Sequence, residues 1–165
     1  MQNPEVRKMT EEEKIKQELE EKFSYLKDTV VVKRSRRIFA NLSPEKFDEV
    51  FAYVVKQMRF NALCTITGMD SGDTFTIMYH LNRESRIVLT IETSVSKNNP
   101  AIKTITPIFP NADIYEREIM DLLGIQVEGL PAGRRYPLPD NWPKNEHPLR
   151  KDWKASASGK ETQNA

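Results

Sequence analysis

The sequence predicts an α+β fold: a small, mostly antiparallel sheet packed with helices, followed by an extended, proline-rich C-terminal strap. Three observations carry this. Apolar residues recur at helical spacing in two capped segments, and a third capped segment lies at 112–123. Between the second and third lie three strand-like segments, two of which alternate apolar and polar residues with period two. Five of the ten prolines (Pro131, Pro137, Pro139, Pro143, Pro148) then fall in one short run near the end.

The elements follow in order. Thr10 with Glu13 forms a capping box. Ile15, Leu19, Phe23 and Leu26 follow at helical spacing, which predicts a helix over 10–27. The β-branched run 29–32 predicts a strand, and 36–42 a second short one. Ser43 and Pro44 are a helix N-cap and first-turn proline. Phe47, Val50, Phe51, Val54, Val55 and Met58 share one face of the helix that follows. Strands are predicted over 62–67, 74–81 and 86–95, with a hairpin-type turn at Asp70-Ser71-Gly72-Asp73. Asn98-Asn99-Pro100 breaks the pattern. An extended piece over 102–108 leads to a helix over 112–123, capped by Asn111 or Asp113 and ended by Gly124. Proline fixes φ and removes a backbone donor, so the following run is neither helix nor central strand. Leu130, Tyr136, Leu138, Trp142, Leu149 and Trp153 make it too apolar for a solvated linker. It reads as a strap docked on something.

This gives an N-terminal charged helix (1–28), an α+β core (29–126), a docking strap (127–154) and a disordered tail (155–165). Hydrophobic content is 38% and charged content 30%, enough for one modest core. No run approaches the roughly 18 apolar residues of a spanning helix. The polar, acidic start does not read as a signal peptide, so a cytosolic location is expected. A net charge of +1 argues against nucleic acid. The charge is uneven, however: residues 10–28 carry seven acids against four lysines, and 131–154 six bases against three acids.

Patterns that carry chemistry are sparse. There is one cysteine, Cys64, in an apolar run; it reads as a small buried core residue. No Cys-x-x-Cys pair is present, and a structural zinc or iron–sulfur cluster is not expected on this chain. His80 and His147 lie on different elements; His80 should face away from Tyr79 and Leu81, as a surface or interface residue. Glu116 and Glu118, two apart on a helix, face different ways and should not share a site. Asp113, Arg117 and Asp121 line up at four-residue intervals, which suits an ion ladder. Arg134-Arg135 and Arg150-Lys151 on the strap suit carboxylates or helix-end carbonyls of a partner, and arginines beside tryptophans are hot-spot composition. A strap folded back on its own domain, or a loose anion site, would use the same residues.

The stretch Asn111-Ala112-Asp113-Ile114-Tyr115-Glu116-Arg117-Glu118-Ile119-Met120-Asp121-Leu122-Leu123-Gly124-Ile125 resembles the signature of the 30 kDa subunit family of respiratory complex I. That family includes the matching subunits of membrane-bound hydrogenases and sulfur-reducing complexes. Pro148-Leu149-Arg150-Lys151-Asp152 resembles its second hallmark, and Leu138-Pro139-Asp140-Asn141-Trp142 and Phe75 to Leu81 fit as well. The resemblance covers about residues 62–153. In the respiratory form a histidine usually follows Glu-Gly, and an aliphatic residue lies just beyond the arginines. Here Leu130-Pro131 follows Gly129 and Tyr136 follows Arg135. These departures look more like the hydrogenase-type branch, whose electron donor would be ferredoxin rather than NADH.

The resemblance implies a non-catalytic structural subunit in the cytoplasmic arm of a membrane-bound, ion-pumping oxidoreductase. It implies no cofactor or metal on this chain. Iron–sulfur clusters, and a nickel–iron site in a hydrogenase-type complex, would sit on other subunits. The implied partners are a large hydrogenase-like catalytic subunit and a small iron–sulfur subunit. The membrane arm would be reached indirectly, so the chain would lie peripherally on the cytoplasmic face. The expected partner interface comprises Glu116, Arg117, Glu118, Asp121, Gly124, Arg134, Arg135, Trp142, Pro148, Leu149, Arg150, Lys151, Asp152 and Trp153. In that picture Arg117 orients its helix through Asp113 and Asp121, and Trp142 and Trp153 anchor the strap. The alternatives are a 30 kDa-type subunit of an NADH:quinone oxidoreductase, a free-standing small acid/base enzyme using Glu116, Glu118, Asp121 or His80, and an anion- or nucleic-acid-binding module.

Overall fold

The computed structural model describes residues 8–84 and 86–155. The expected disordered tail therefore lies, apart from Ala155, outside the described residues. The fold is α+β, with three α-helices and a mixed five-stranded sheet. Helix α1 (Glu11–Lys22) begins at the Thr10–Glu13 capping box, with both reciprocal bonds made. It ends at Phe23, short of the expected Leu26–Lys27, because Phe23 leaves helical geometry at φ −127°. A 3-10 turn (Ser24–Leu26) buries Leu26 instead. Strands β1 (Val30–Arg34) and β2 (Arg37–Leu42) follow, then α2 (Pro44–Lys56). Ser43 holds the N-cap position of α2, but its side chain makes no cap bond.

Strands β3 (Ala62–Asp70) and β4 (Thr74–Arg83) run past their expected ends, and β5 (Ile87–Ser96) keeps its expected length one residue further on. The sheet order is β1-β2-β5-β4-β3. β1 and β2 pair antiparallel, whereas β2 and β5 pair parallel in the register Arg37↔Val88 to Leu42↔Thr93. The short turns joining β3 to β4 and β4 to β5 permit only antiparallel pairing. The expected extended piece over 102–108 shrinks to β6 (Ala101–Lys103). This strand pairs parallel with β7 (Gln126–Glu128), an unexpected strand that follows α3 (Ala112–Leu123).

Two compact units result, and β3, β4 and β5 each contribute to both. The first comprises the described residues up to Cys64 with Met78–Thr93. There the apolar stripe of α1 is buried at Ile15 and Leu19, and α2 buries Phe47, Val50, Phe51 and Val54. Phe47 lies 4.6 Å from Tyr79, and Phe51 packs edge-on against the same ring at 5.8 Å. Each such aromatic contact adds about 0.5–1.5 kcal/mol beyond its area burial. Cys64 corrects the expectation of a buried thiol: it is exposed. β3 is an edge strand, and its alternation turns Leu63 inward and Cys64 outward. His80 is half-buried, with Nδ1 3.0 Å from the Thr90 hydroxyl. Burial, and then the nearby Arg37 charge, push its pKa below the ordinary value.

The second unit comprises Thr65–Ile77 and the described residues from Ser94 onward. Its core includes Ile66, Phe75, Ile105, Ile119, Leu123 and Val127. Helix α3 approaches β3 closely at Gly68, where an added Cβ would lie 2.6 Å from Leu123 Cδ1 and 2.9 Å from Ile119 Cγ2. Only glycine admits that approach without repacking.

Candidate functional site

The site builds outward from α3. Its sequence places apolar Ile119 and Leu123 on the buried face and Asp113, Arg117, Glu118 and Asp121 among the residues around the rest. Gly124 ends it in the left-handed region at φ +74°, a conformation glycine adopts at no steric cost. Past Gly124 the last carbonyls of the helix would have no intrahelical partner. The strap supplies them. His147 Nδ1 donates to the Asp121 carbonyl at 2.8 Å, and the Leu149 N–H donates to the Leu122 carbonyl at 3.0 Å. A carbonyl only accepts, so the His147 proton sits on Nδ1. The His147 ring also fills the space a Cβ on Gly124 would take, 2.6 Å away.

Asp121 is the second anchor. Only 7% exposed, it accepts from Arg135 Nε and, at 2.8 Å, from the Leu138 N–H. Arg135 also donates to the Trp142 carbonyl at 2.7 Å. One buried carboxylate thus fixes the strap at 135 and 138. The expected ladder through Arg117 is corrected accordingly. Arg117 forks onto Asp113 at 2.8 and 2.9 Å and donates to the Pro131 carbonyl at 2.7 Å. Helical side chains lean toward the N-terminus, so Arg117 reaches back to Asp113 and leaves Asp121 to Arg135. These bonds hold the Asp113 carboxyl below the usual carboxylate range and raise the Arg117 pKa.

Asp70 is the third anchor, and it escaped sequence reasoning. Its side chain is 2% exposed and meets Lys97 Nζ at 2.6 Å. It also accepts from the N–H groups of Gly72 and Lys151, at 2.9 and 2.8 Å. Burial alone would raise its pKa, but Lys97 and the two N–H donors hold it far below the usual carboxylate range. Arg150 and Lys97 both stand 5.4 Å from the Phe75 ring centre. The turn sequence around Asp70 signals only a hairpin. Nothing in it points to a partner 81 residues away.

The remaining expected interface residues divide into inward and outward groups. Glu116 is 0% exposed and accepts from Thr104 Oγ1 at 2.6 Å and the Ile105 N–H at 2.8 Å. It faces the interior and ties the chain just after β6 to α3. Burial pushes its carboxyl up despite those bonds. Glu118 is half-buried on a different face, so the two glutamates do not converge. Trp142 and Trp153 lie 6.0 Å apart, and each indole N–H donates to Glu146, one to its carbonyl and one to its carboxylate. They staple the strap's own turn. Pro148 is half-buried, and Arg150 pairs with Asp152 at 3.2 Å. Outward lie Arg134, Leu149 and the Lys151 side chain, together with Tyr136, which was not among the expected interface residues. Tyr136 is 43% and Leu149 55% exposed.

Between α3 and the strap lies a concavity of about 420 Å³, bordered by Met120, Arg134, Tyr136 and Lys144 among others. Among the described residues, no group of three or more His, Cys, Asp or Glu side chains is placed to hold a metal ion. Nor does any described helix have the length and apolarity to cross a membrane.

Comparison with known proteins follows the same geometry. The sequence profile of the respiratory-chain NADH dehydrogenase 30 kDa subunit matches residues 40–159, which include α3 and the described strap. The chain is 40% identical over 94 residues to the C/D polypeptide of the NADH-quinone oxidoreductase of Pseudomonas fluorescens. It is 41% identical over 92 residues to the C/D polypeptide of Acinetobacter baumannii. Each match covers 55% of this chain and 15% of the relative's length. Among solved structures, a chain of the membrane-bound sulfane sulfur reductase, an archaeal respiratory membrane complex, superposes with a TM-score of 0.79 at 26% identity. That likeness covers 92% of this chain and 90% of the other. A trypsin-resistant fragment of Nqo5 superposes with a TM-score of 0.58 at 26% identity, covering 70% of this chain and 98% of the fragment.

Proposed function

The chain belongs to the 30 kDa subunit family of respiratory-chain NADH dehydrogenases, and on that premise we propose that it is a non-catalytic assembly subunit of a membrane-bound electron-transfer complex. It docks on the large catalytic subunit, beside the small iron–sulfur subunit, through the strap and the adjoining face of α3. Its cofactors lie on those other subunits, and it meets the membrane only through them. The observation that carries the reading is the strap itself. Asp121, Asp70 and the end of α3 hold it in one shape, and its exposed side chains include arginine, tyrosine and leucine. Such pre-shaped, arginine- and aromatic-rich surfaces suit protein partners. Acid/base catalysis would need convergent carboxyls, and Glu116 and Glu118 point apart.

The likeness to the sulfane sulfur reductase chain favours a sulfur-reducing complex, because it spans most of both chains. The C/D relatives favour the NADH–quinone alternative, but over only 55% of this chain. Affinity purification of the tagged full-length chain from its own cells tests the role. A large subunit and an iron–sulfur subunit should co-purify. Leu149→Asp places a charge on an exposed strap position and should release both while leaving the melting temperature nearly unchanged. Recovery of no oxidoreductase subunit would overturn the subunit role. Undiminished recovery with the variant would overturn docking through the strap.

A further inference from the structure

We infer that the concavity between α3 and the strap receives an acidic segment of the partner subunit, whose carboxylates meet Arg134 and Lys144. This deepens, and rests on, the docking role proposed above. Four cationic side chains border the concavity, but they are not equivalent. Arg117 is committed to Asp113 and the Pro131 carbonyl, and Arg135 to Asp121 and the Trp142 carbonyl. Those two arginines shape the walls.

Arg134 and Lys144 are different. The Arg134 side chain is 91% exposed, and its ion pair with Asp140 is long, at 3.9 Å, to a carboxylate itself 81% exposed. A pair so open to water contributes next to nothing. Lys144 is also exposed. Two cations against one acid leave the mouth of the concavity positive. This matches the wider surplus of the strap, six bases against three acids over 131–154. Two long cationic side chains bordering one concavity and open to water do nothing for the fold.

The lining identifies the class of occupant. Met120 and the 43% exposed Tyr136 stand beside the cations. A free phosphate would want several donors converging on one point. Met120 and Tyr136 with two exposed cations on the same border instead fit an amphipathic peptide, its carboxylates on Arg134 and Lys144 and its apolar side chains on Tyr136 and Met120. Arginine beside tyrosine is the composition that carries most interface energy.

The test uses the intact complex purified through this chain. Carbodiimide joins an amine to a carboxylate already in contact with it, with no spacer. Mass spectrometry should find Lys144 joined to an Asp or Glu of another subunit. The R134E/K144E variant, altered only at exposed positions, should melt as the wild type does. Its recovery of the large subunit at physiological salt should fall at least about tenfold, equivalent to about 1.4 kcal/mol. Lys144 joined only to acids of its own chain, or undiminished recovery with the double variant, would overturn the inference. Wild-type co-purification in that same experiment would leave the docking role standing. If the wild-type chain but not the variant bound anionic vesicles, with subunit recovery equal, the site would belong to lipid headgroups and the inference would fail.

Discussion

Replacing Asp121 with alanine should unfasten the strap from α3, and the structure sets the size of the effect. The carboxylate accepts from two donors, Arg135 Nε and the Leu138 N–H. A hydrogen bond involving a charged group contributes about 1.5–3 kcal/mol. Two such bonds set a ceiling of roughly 6 kcal/mol. The ceiling is not reached, because the Arg135 side chain is 20% exposed and water can take up part of the lost interaction. Arg135 also keeps its bond to the Trp142 carbonyl. A net loss of about 2–4 kcal/mol is expected. For a domain of this size each kcal/mol moves the melting temperature by about 2–4 °C. The variant should therefore melt roughly 5–15 °C below the wild type. Hydrogen exchange gives the local readout: the Leu138 amide should exchange much faster.

A double-mutant cycle makes the reasoning strict. If Asp121 and Arg135 act on each other, the D121A/R135A variant should lose less than the two single variants together. The difference should be at least about 1 kcal/mol. Strict additivity, with the Leu138 amide still protected in D121A, would refute the claim that this carboxylate fixes the strap.

Two further predictions concern the interior of the same unit. Burial pushes the Glu116 carboxyl above its ordinary 4.5, so the folded state holds that proton more tightly than the unfolded chain does. Its contribution is then fully present below the unfolded value and is lost as pH rises through the folded value. Urea denaturation across that range should show the wild type gaining on Glu116→Gln as pH falls, and a pH-independent gap would contradict it. Gly68→Ala should cost about 1–3 kcal/mol by driving a methyl into Leu123 and Ile119, read as a lowered urea midpoint.

The sequence carried the local information well. The capping box at Thr10, the proline at the start of α2, the alternation of β4 and β5 and the glycine that ends α3 all act through residues within a turn or two of each other. Such signals survive without knowledge of the fold. The misses share one cause: each depended on a partner far along the chain. Cys64 is exposed because the pleat of β3 turns it away from the side that buries Leu63, and which face of a strand is covered is set by what packs on it rather than by the run around it. The Arg117 ladder failed because a second arginine, 14 residues on, takes Asp121. Asp70 looks like an ordinary turn residue until the strap returns to it. The strap's composition marked it as packed against something, but not that much of its polar equipment is engaged within its own chain.

That engagement changes which residues should govern assembly. Ordering a loose strap costs about 1–2 kcal/mol per residue in backbone entropy alone. A partner that had to order residues 131–154 itself would lose most of its contact energy doing so. Here Asp121, Asp70, His147 and Glu146 hold the strap before any partner arrives. On the proposed docking role, affinity should depend as much on these carboxylates and this imidazole, none of which needs to touch the partner, as on the exposed side chains. Loss of a clamp such as Asp121 should slow association, because the binding-competent shape becomes a minor one. Loss of an outward contact such as Leu149 should instead speed dissociation. Measuring both rates for D121A and L149D separates the two roles. Identical kinetic signatures would show that the strap is ordered by its partner rather than by its own chain.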